Sequence, residues 1–187
     1  LDEWFFFSHF EGDPVMPGPM PHEGNSVLEL GLTSSVVHSL SARSEVEGGV
    51  EAAYTASSMV LQNDVYRAMD SESDAFRAAV FGQLRYQVGA SVWLEGGLRL
   101  TWVPSRSGIY AEPRIGLRGD HASVGSSLAW NVAAGVHRQF LNQFDLATIG
   151  PSALVPSVRV WLPVSAALAP PEAWHLGGQV TWMSHAG

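Results

Sequence analysis

The sequence predicts an all-β protein: an antiparallel meander of about eight long strands that is part of a transmembrane outer-membrane β-barrel. Three observations support this fold class. Polar and apolar residues alternate with a period of two in one segment after another, and no segment shows a helical period. Hydrophobic residues make up 46% of the chain but charged residues only 15%, which is few for the outer face of a soluble sheet. Tyrosine and tryptophan recur near the ends of the predicted strands, as in the aromatic girdles of membrane barrels.

The first four strands are predicted near residues 3–10, 26–37, 43–58 and 75–88. The first contains WFFFSHF and is apolar on both faces. The second has leucine and valine at even numbers, with glutamate, threonine and serine at odd numbers. The third, RSEVEGGVEAAYTA, carries its arginine and glutamates at odd numbers. In the fourth, FRAAVFGQLRYQV, arginine and glutamine again take odd numbers. The second, third and fourth strands therefore each have one polar and one apolar face.

The last four strands are predicted near residues 92–103, 110–119, 127–141 and 172–183. VWLEGGLRLTW alternates valine, leucine and tryptophan with glutamate, arginine and threonine. EPRIGLR is a shorter stretch of the same kind. LAWNVAAGVHRQF and WHLGGQVTW set apolar residues against asparagine, histidine, glutamine and threonine. Most of these strands have about a dozen residues, and a tilted strand of 9–11 residues spans the hydrocarbon core of a bilayer. We treat residues 1–187 as a single segment of such a barrel.

The short connection in QVGASV fixes the pairing of the two strands that it joins. Both strands carry their apolar residues at even numbers, and residues that face each other in an antiparallel pair share a face. Opposed residue numbers must therefore have an even sum, which a three-residue loop at residues 89–91 satisfies. This register predicts that Arg85 lies opposite Glu95 and that Tyr86 lies opposite Leu94.

The alternation leaves open which face is wet, because a soluble sandwich would turn its apolar face inward. The low charge content and the terminal aromatics favour the opposite arrangement, with lipid outside and a polar lumen inside. An arginine moved to the lipid face would then be costly, whereas one on the lumen face would be tolerated. The polar residues predicted to face the lumen are Glu45, Glu47, Arg85, Glu95, Arg99, His137 and His175.

Connections between the strands are alternately short and long, and the longest is predicted from Asn142 to Pro171. Long loops on one rim are typical of membrane barrels, and functional residues concentrate on loops above a rigid scaffold. We therefore expect an external ligand-binding loop with Phe144, Arg159 and Trp161. Packing of this loop over its own barrel is an equally good interpretation. The acidic stretch DSESD, residues 70–74, lacks the glycine and the last glutamate of a calcium loop, so it is expected to be a solvated loop.

Several kinds of chemistry find no support in the sequence. The formal net charge of −8 argues against nucleic acid, and the absence of cysteine excludes a thiolate nucleophile. The seven histidines have no metal-ligand spacing. Neither a phosphate-binding glycine loop nor a nucleophile elbow is present. We therefore expect a protein that is not an enzyme, with no catalytic residues, no metal and no cofactor.

Three stretches resemble the barrel of TonB-dependent outer-membrane receptors: YAEPRIGLRGD (110–120), SLAWNVAAGVHRQFLNQFD (127–145) and residues 151–183. In that family a strand with a Pro-Arg pair often precedes a strand that ends in Gln-Phe. The resemblance implies a barrel of twenty-two strands around a plug domain, energised by TonB of the inner-membrane complex. No plug, TonB box or terminal aromatic strand is visible here. The chain is thus expected to be an internal barrel segment, a piece of a longer protein.

On this interpretation the segment belongs to a transport receptor of the cell outer membrane, a multi-pass β-barrel. Its external loops would bind a scarce nutrient or a siderophore-like small molecule for TonB-energised import. The expected partners are outer-membrane lipid, the ligand, the plug domain, the remaining barrel strands and TonB. Two alternatives remain open from the sequence. One is a self-contained eight-stranded outer-membrane barrel with a structural or adhesive role, and the other is a soluble β-sandwich that binds carbohydrate.

Overall fold

The computed structural model describes residues 2–12, 22–62, 67–124, 126–146 and 158–184. The strands that these residues form are numbered β1 to β10 in chain order: Asp2–Gly12, His22–Ser41, Ser44–Gln62, Arg67–Gln87, Val92–Val103, Gly108–Ser123, Ser126–Arg138, Leu141–Leu146, Val158–Pro163 and Glu172–Ser184. A short 3-10 turn, Pro104–Arg106, joins β5 to β6. Within the described ranges, no helix is long and apolar enough to cross a membrane.

Eight strands form one antiparallel sheet in the order β1-β2-β3-β4-β5-β6-β7-β10, and β8 pairs with β9 in a separate two-stranded sheet. The predicted all-β antiparallel meander is therefore confirmed. The sequence order is broken once, between β7 and β10, where β8 and β9 are inserted. Among the described residues β1 pairs with β2 and β10 pairs with β7, and no pairing joins β1 to β10. These two strands are the open edges of the sheet as described.

The register of the β4–β5 hairpin is the predicted one. Arg85 lies opposite Glu95, and Tyr86 lies opposite Leu94. The amide of Val88 donates a hydrogen bond of 2.9 Å to the carbonyl oxygen of Val92, so the loop encloses three residues. The parity argument holds here because both strands continue their alternation up to the turn.

The burial of the two faces of the large sheet is the reverse of that in a soluble protein: the apolar face is exposed and the charged face is covered. Leu84, Leu98 and Val132 lie on the apolar face with 46%, 44% and 47% of their surface exposed. On the charged face of β3, by contrast, alternate residues such as Ala53 and Thr55 are buried. A contiguous exposed apolar surface of this extent is rare on a soluble monomer. The covered interior of this protein is on the side that carries the charges.

The predicted long connection between the third and fourth strands is wrong, because both strands continue into it. β3 extends to Gln62 and β4 begins at Arg67, so most of the expected loop between them is strand. The acidic stretch of residues 70–74 lies inside β4, where Asp74 is paired with Ala56. It is not a solvated loop. The alternation of its acids with serine already has the period of a strand, and the partner β3 extends far enough to pair with it.

Two strand glycines are covered by an aromatic side chain of the neighbouring strand. An added Cβ at Gly49 would lie 2.5 Å from Cζ of Phe81, and one at Gly31 would lie 2.0 Å from Cζ of Phe6. In both cases the ring lies directly over the glycine of the paired position. Gly49 is therefore required for packing, because the added Cβ would also lie 2.5 Å from the carbonyl oxygen of Ser34, whereas at Gly31 only the ring of Phe6 would have to move.

Candidate functional site

A row of alternating charges crosses the polar face from β2 to β6. It consists, in the order in which the side chains contact each other, of Glu29, Arg77, Glu51, Arg99 and Glu112. Nη2 of Arg77 lies 3.0 Å from Oε1 of Glu29, and its Nε lies 3.7 Å from Oε1 of Glu51. Arg99 donates to both oxygens of Glu51 at 2.7 and 2.9 Å, and its Nε lies 3.5 Å from Oε2 of Glu112. We call these five residues the charge row.

Neighbouring polar groups complete the hydrogen bonding of this row. The hydroxyl of Thr101 donates to Oε2 of Glu112 at 3.1 Å, and the amide of Arg138 donates to Oε1 at 2.9 Å. The hydroxyl of Thr55 donates to Glu29 at 3.3 Å. A carboxylate held by several donors is well satisfied even when it is largely removed from water. The charge row is therefore an ordered element of the polar face.

A second ionic cluster lies toward the opposite end of the same face. Arg85 pairs with Glu45 at 2.9 Å and lies 3.5 Å from Glu95. Glu95 is also 3.6 Å from Nε of Arg118, whose guanidinium lies over the ring of Trp93. These side chains are more exposed than the charge row, so each pair contributes less to stability.

The β8–β9 hairpin covers part of the polar face. β9 contacts β2, β3 and β4, and Val160 and Val164 are almost fully buried. Arg106 anchors the end of the hairpin by donating to the carbonyl oxygens of Ser165 and Ala166 at 3.3 and 3.1 Å. The prediction of an external loop from Asn142 to Pro171 is wrong for residues 142–146 and 158–163, because they form a hairpin that packs against the sheet. The apolar residues of VRVWLPV explain this, since they are buried by folding back.

The three predicted ligand-binding residues lie on this hairpin. Phe144 is on β8 and pairs with Val160, while Arg159 and Trp161 are on β9 opposite Asp145 and Gln143. In this register Phe144 belongs to one face of the hairpin, and residues 159 and 161 belong to the other. The structure thus does not bring the three together, and their role in ligand binding stays a prediction.

The predicted lumen-facing residues do share one face of the sheet. Five further charged residues lie on the same face and were not predicted as site residues: Glu29, Glu51, Arg77, Glu112 and Arg114. The alternation of odd and even residue numbers within each strand would have placed most of these residues on the polar face. The grouping of the charge row was not foreseeable from odd or even numbering, because Glu51 and Arg99 lie on strands separated by β4. Ala79 lies between them and is small enough for the two side chains to meet above it.

A pocket of about 520 Å³ lies on the polar face between β4 and β10. Arg114, His137 and His175 contribute to its wall, together with glycines and alanines of β5, β6, β7 and β10. The rings of His137 and His175 pack edge to face with centroids 4.8 Å apart. Among the described residues, no group of three histidine, cysteine or acidic side chains is placed to hold a metal ion. That the protein is not an enzyme remains a prediction.

Comparison with protein families gives one match, to the FabA-like domain over residues 1–45. This stretch contains β1 and β2, and it is less than a quarter of the 187 residues. A match of that length does not assign the chain to the family. No curated protein and no solved structure matches the chain.

The resemblance to TonB-dependent receptors is wrong, because the matching family model is the FabA-like domain, a fatty acid dehydratase/isomerase-like fold. The transport-receptor function is therefore wrong as well. The plug domain and TonB, which only the resemblance implied as partners, stay untested predictions. The described residues of the stretches on which the resemblance depended lie mainly in β6 to β10, and alternation with terminal aromatics is common to long strands of many proteins. Dipeptides such as Pro-Arg and Gln-Phe add little specificity.

The two alternatives fit no better. A self-contained barrel requires β1 to pair with β10, and no such pairing occurs among the described residues. A soluble sandwich requires the apolar face to be buried, but Leu84, Leu98 and Val132 are exposed.

Proposed function

We propose that these strands are part of the wall of a transmembrane β-barrel in an outer membrane. The apolar face contacts lipid acyl chains, and the charged face borders a hydrated interior that the β8–β9 hairpin partly fills. The observation that carries this proposal is the reversed burial of the sheet: large apolar side chains are exposed, while the side chain of Glu112 is only 10% exposed. Hydrocarbon is the solvent in which such an apolar face is stable.

The open edges of the sheet set a further requirement of this proposal. Unpaired backbone groups of an edge strand cannot be satisfied in hydrocarbon, so barrels that span membranes are closed. β1 and β10 must then pair with additional strands. The proposed partners of the segment are therefore membrane lipid on its apolar face and further barrel strands at its two edges.

The absence of cysteine allows a direct test by single-cysteine labelling. We would introduce Gln83→Cys and Leu84→Cys separately into the full protein in lipid vesicles, and treat both with a membrane-impermeant maleimide. These neighbours point to opposite faces of β4. We expect position 83 to react and position 84 to be protected, with Gly89→Cys in the β4–β5 loop as a reactive control. Equal labelling of positions 83 and 84 would refute the proposal.

The FabA-like match supports a second candidate for the first 45 residues. In this case β1 and β2 belong to a fatty acid dehydratase/isomerase-like domain that acts on a fatty acyl substrate. Trp4 and Phe5 lie on opposite faces of β1 with 70% and 74% of their surface exposed, and the rest of such a domain would cover both. Trp4→Cys separates the candidates, because position 4 lies on the polar face. It reacts with the impermeant maleimide in a barrel wall and is protected in the second case.

A further inference from the structure

We propose that the pocket between β4 and β10 binds a small anion that carries a carboxylate or phosphate group, with Arg114 as the principal contact. This site goes beyond the proposed function, because it depends only on the polar face of the sheet. Arg114, His137 and His175 are its cationic or titratable donors, and the side-chain amides of Gln83, Asn131 and Gln179 also line it. None of these groups is needed for the barrel wall itself.

Arg114 differs from the arginines around it because no described carboxylate lies within ion-pair distance of its guanidinium, although it also borders the recess lined by Glu29, Glu51 and Glu112. Arg77, Arg85, Arg99, Arg118 and Arg138 each lie within ion-pair distance of a glutamate. Within the part of the chain that the structure describes, Arg114 forms no ion pair or hydrogen bond. In a chain with a formal net charge of −8, an unneutralised guanidinium at a pocket wall is a specific attraction for an anion. Its planar fork fits a carboxylate or a phosphate group through two parallel hydrogen bonds.

The backbone around Arg114 is arranged to hold its side chain along the sheet. Gly97 on β5 and Gly135 on β7 lie opposite Arg114 on its two sides. An added Cβ at Gly97 would lie 3.0 Å from Nε of Arg114, and one at Gly135 would lie 3.3 Å from its Cβ. Larger residues at these positions would displace the guanidinium. Because these two glycines have no side chain, they also leave a recess beside Arg114 in which a ligand can lie.

The remaining polar groups of the pocket agree with an anionic ligand. His175 lies in the same cross-strand row as Arg114, one strand beyond Gly135, and its ring packs against that of His137. A neutral histidine supplies one N–H donor, and a protonated one supplies two. Glu95 is the one carboxylate that lines this pocket, and it lies between the guanidinium groups of Arg85 and Arg118. Its charge is therefore compensated, and that of Arg114 is not.

The test is a binding titration of the full protein in mild detergent by calorimetry, with inorganic phosphate in one arm and succinate in the other. We expect saturable binding of at least one anion, and the tighter one identifies the preferred group. Arg114→Gln should weaken it by about 10-fold or more, the usual effect of losing a charge-assisted hydrogen bond. Arg43→Gln removes the same charge at the exposed β2–β3 turn and should change the affinity by less than about 2-fold.

His175→Gln gives a second variant if Arg114→Gln does not fold, because His175 is an exposed residue of the pocket wall and forms no ion pair with a described residue. We expect a loss of about 3-fold or more, the effect of one weaker donor. Two results would overturn the proposal. One is that neither anion binds saturably to the wild-type protein. The other is that Arg43→Gln weakens binding as much as the pocket variants do.

Discussion

Arg99 and Glu51 form a two-pronged ion pair that passes over β4, with donor–acceptor distances of 2.7 and 2.9 Å. The two residues lie on β5 and β3, so their pairing links strands that are not neighbours in the sheet. Hydrogen bonds of a β-ladder join only adjacent strands. This ion pair therefore adds a restraint across the sheet that the backbone does not provide.

Removing one partner of this pair should destabilise the protein measurably. We expect Glu51→Gln or Arg99→Gln to lower the free energy of unfolding by about 1–3 kcal/mol, because the largely buried partner keeps only its longer contact, Arg99 to Glu112 or Glu51 to Arg77. The double variant should lose less than the sum of the two single losses. The measurement is urea-induced unfolding of the full protein in lipid or detergent.

The more exposed pair of Arg85 and Glu45 is the matched control for this experiment, with side-chain exposures of 38% and 35%. Glu45→Gln should cost no more than about 1 kcal/mol. If Glu45→Gln and Glu51→Gln lower the free energy of unfolding by the same amount, the ion pair over β4 does not stabilise the protein more than an exposed pair does.

Arginine substitutions on neighbouring residues of β4 should have unequal effects. Leu84→Arg places a charge on the exposed apolar face and should cost about 2–4 kcal/mol near the middle of a bilayer. Gln83→Arg places it on the polar face and should cost almost nothing. Folding of both variants into lipid vesicles measures the difference. Equal tolerance at the two positions would contradict the assignment of the apolar face to lipid.

Alanine should be tolerated at Gly48 but not at Gly49. An added Cβ at Gly49 would lie 2.5 Å from both Cζ of Phe81 and the carbonyl oxygen of Ser34, whereas one at Gly48 would meet nothing closer than 3.8 Å. We expect Gly49→Ala to cost about 1–3 kcal/mol through overpacking. Gly48→Ala should be neutral or stabilising by up to about 1 kcal/mol, because it lowers the entropy of the unfolded chain. Denaturant midpoints of the two variants test this, and a similar loss in both would argue against the close approach at Gly49.

Loss of the Arg106 anchor should loosen the end of the β8–β9 hairpin without unfolding the sheet. Arg106→Gln removes the charged donor to the carbonyl oxygens of Ser165 and Ala166. The amide of Val164, which donates to Phe140 at 3.0 Å, should then exchange its hydrogen faster. Amide exchange of the β4–β5 pairing serves as the internal reference. Unchanged exchange at Val164 would show that the apolar contacts of the hairpin are sufficient by themselves.

The strands and their faces were predictable because alternation with a period of two is a local property. The β4–β5 register followed from the same property, since Arg85 and Glu95 are separated by a single short turn. The charge row was not predictable, because it depends on the registers of four successive strand pairs. An error of one residue in any of them would move a side chain to the other face. Arg114 was visible as a polar-face residue, but its lack of a counter-charge depends on where every other carboxylate lies.

By itself the sequence determined an antiparallel meander of long strands with one charged and one apolar face, because each strand's pattern is complete within a dozen residues. Only the tertiary structure decided that the charged face is the covered one, that residues 141–146 and 158–163 form a hairpin against it, and which charges meet there. These features depend on contacts between residues far apart in the chain. A local pattern specifies which side of a strand a residue occupies, but not what will lie against that side.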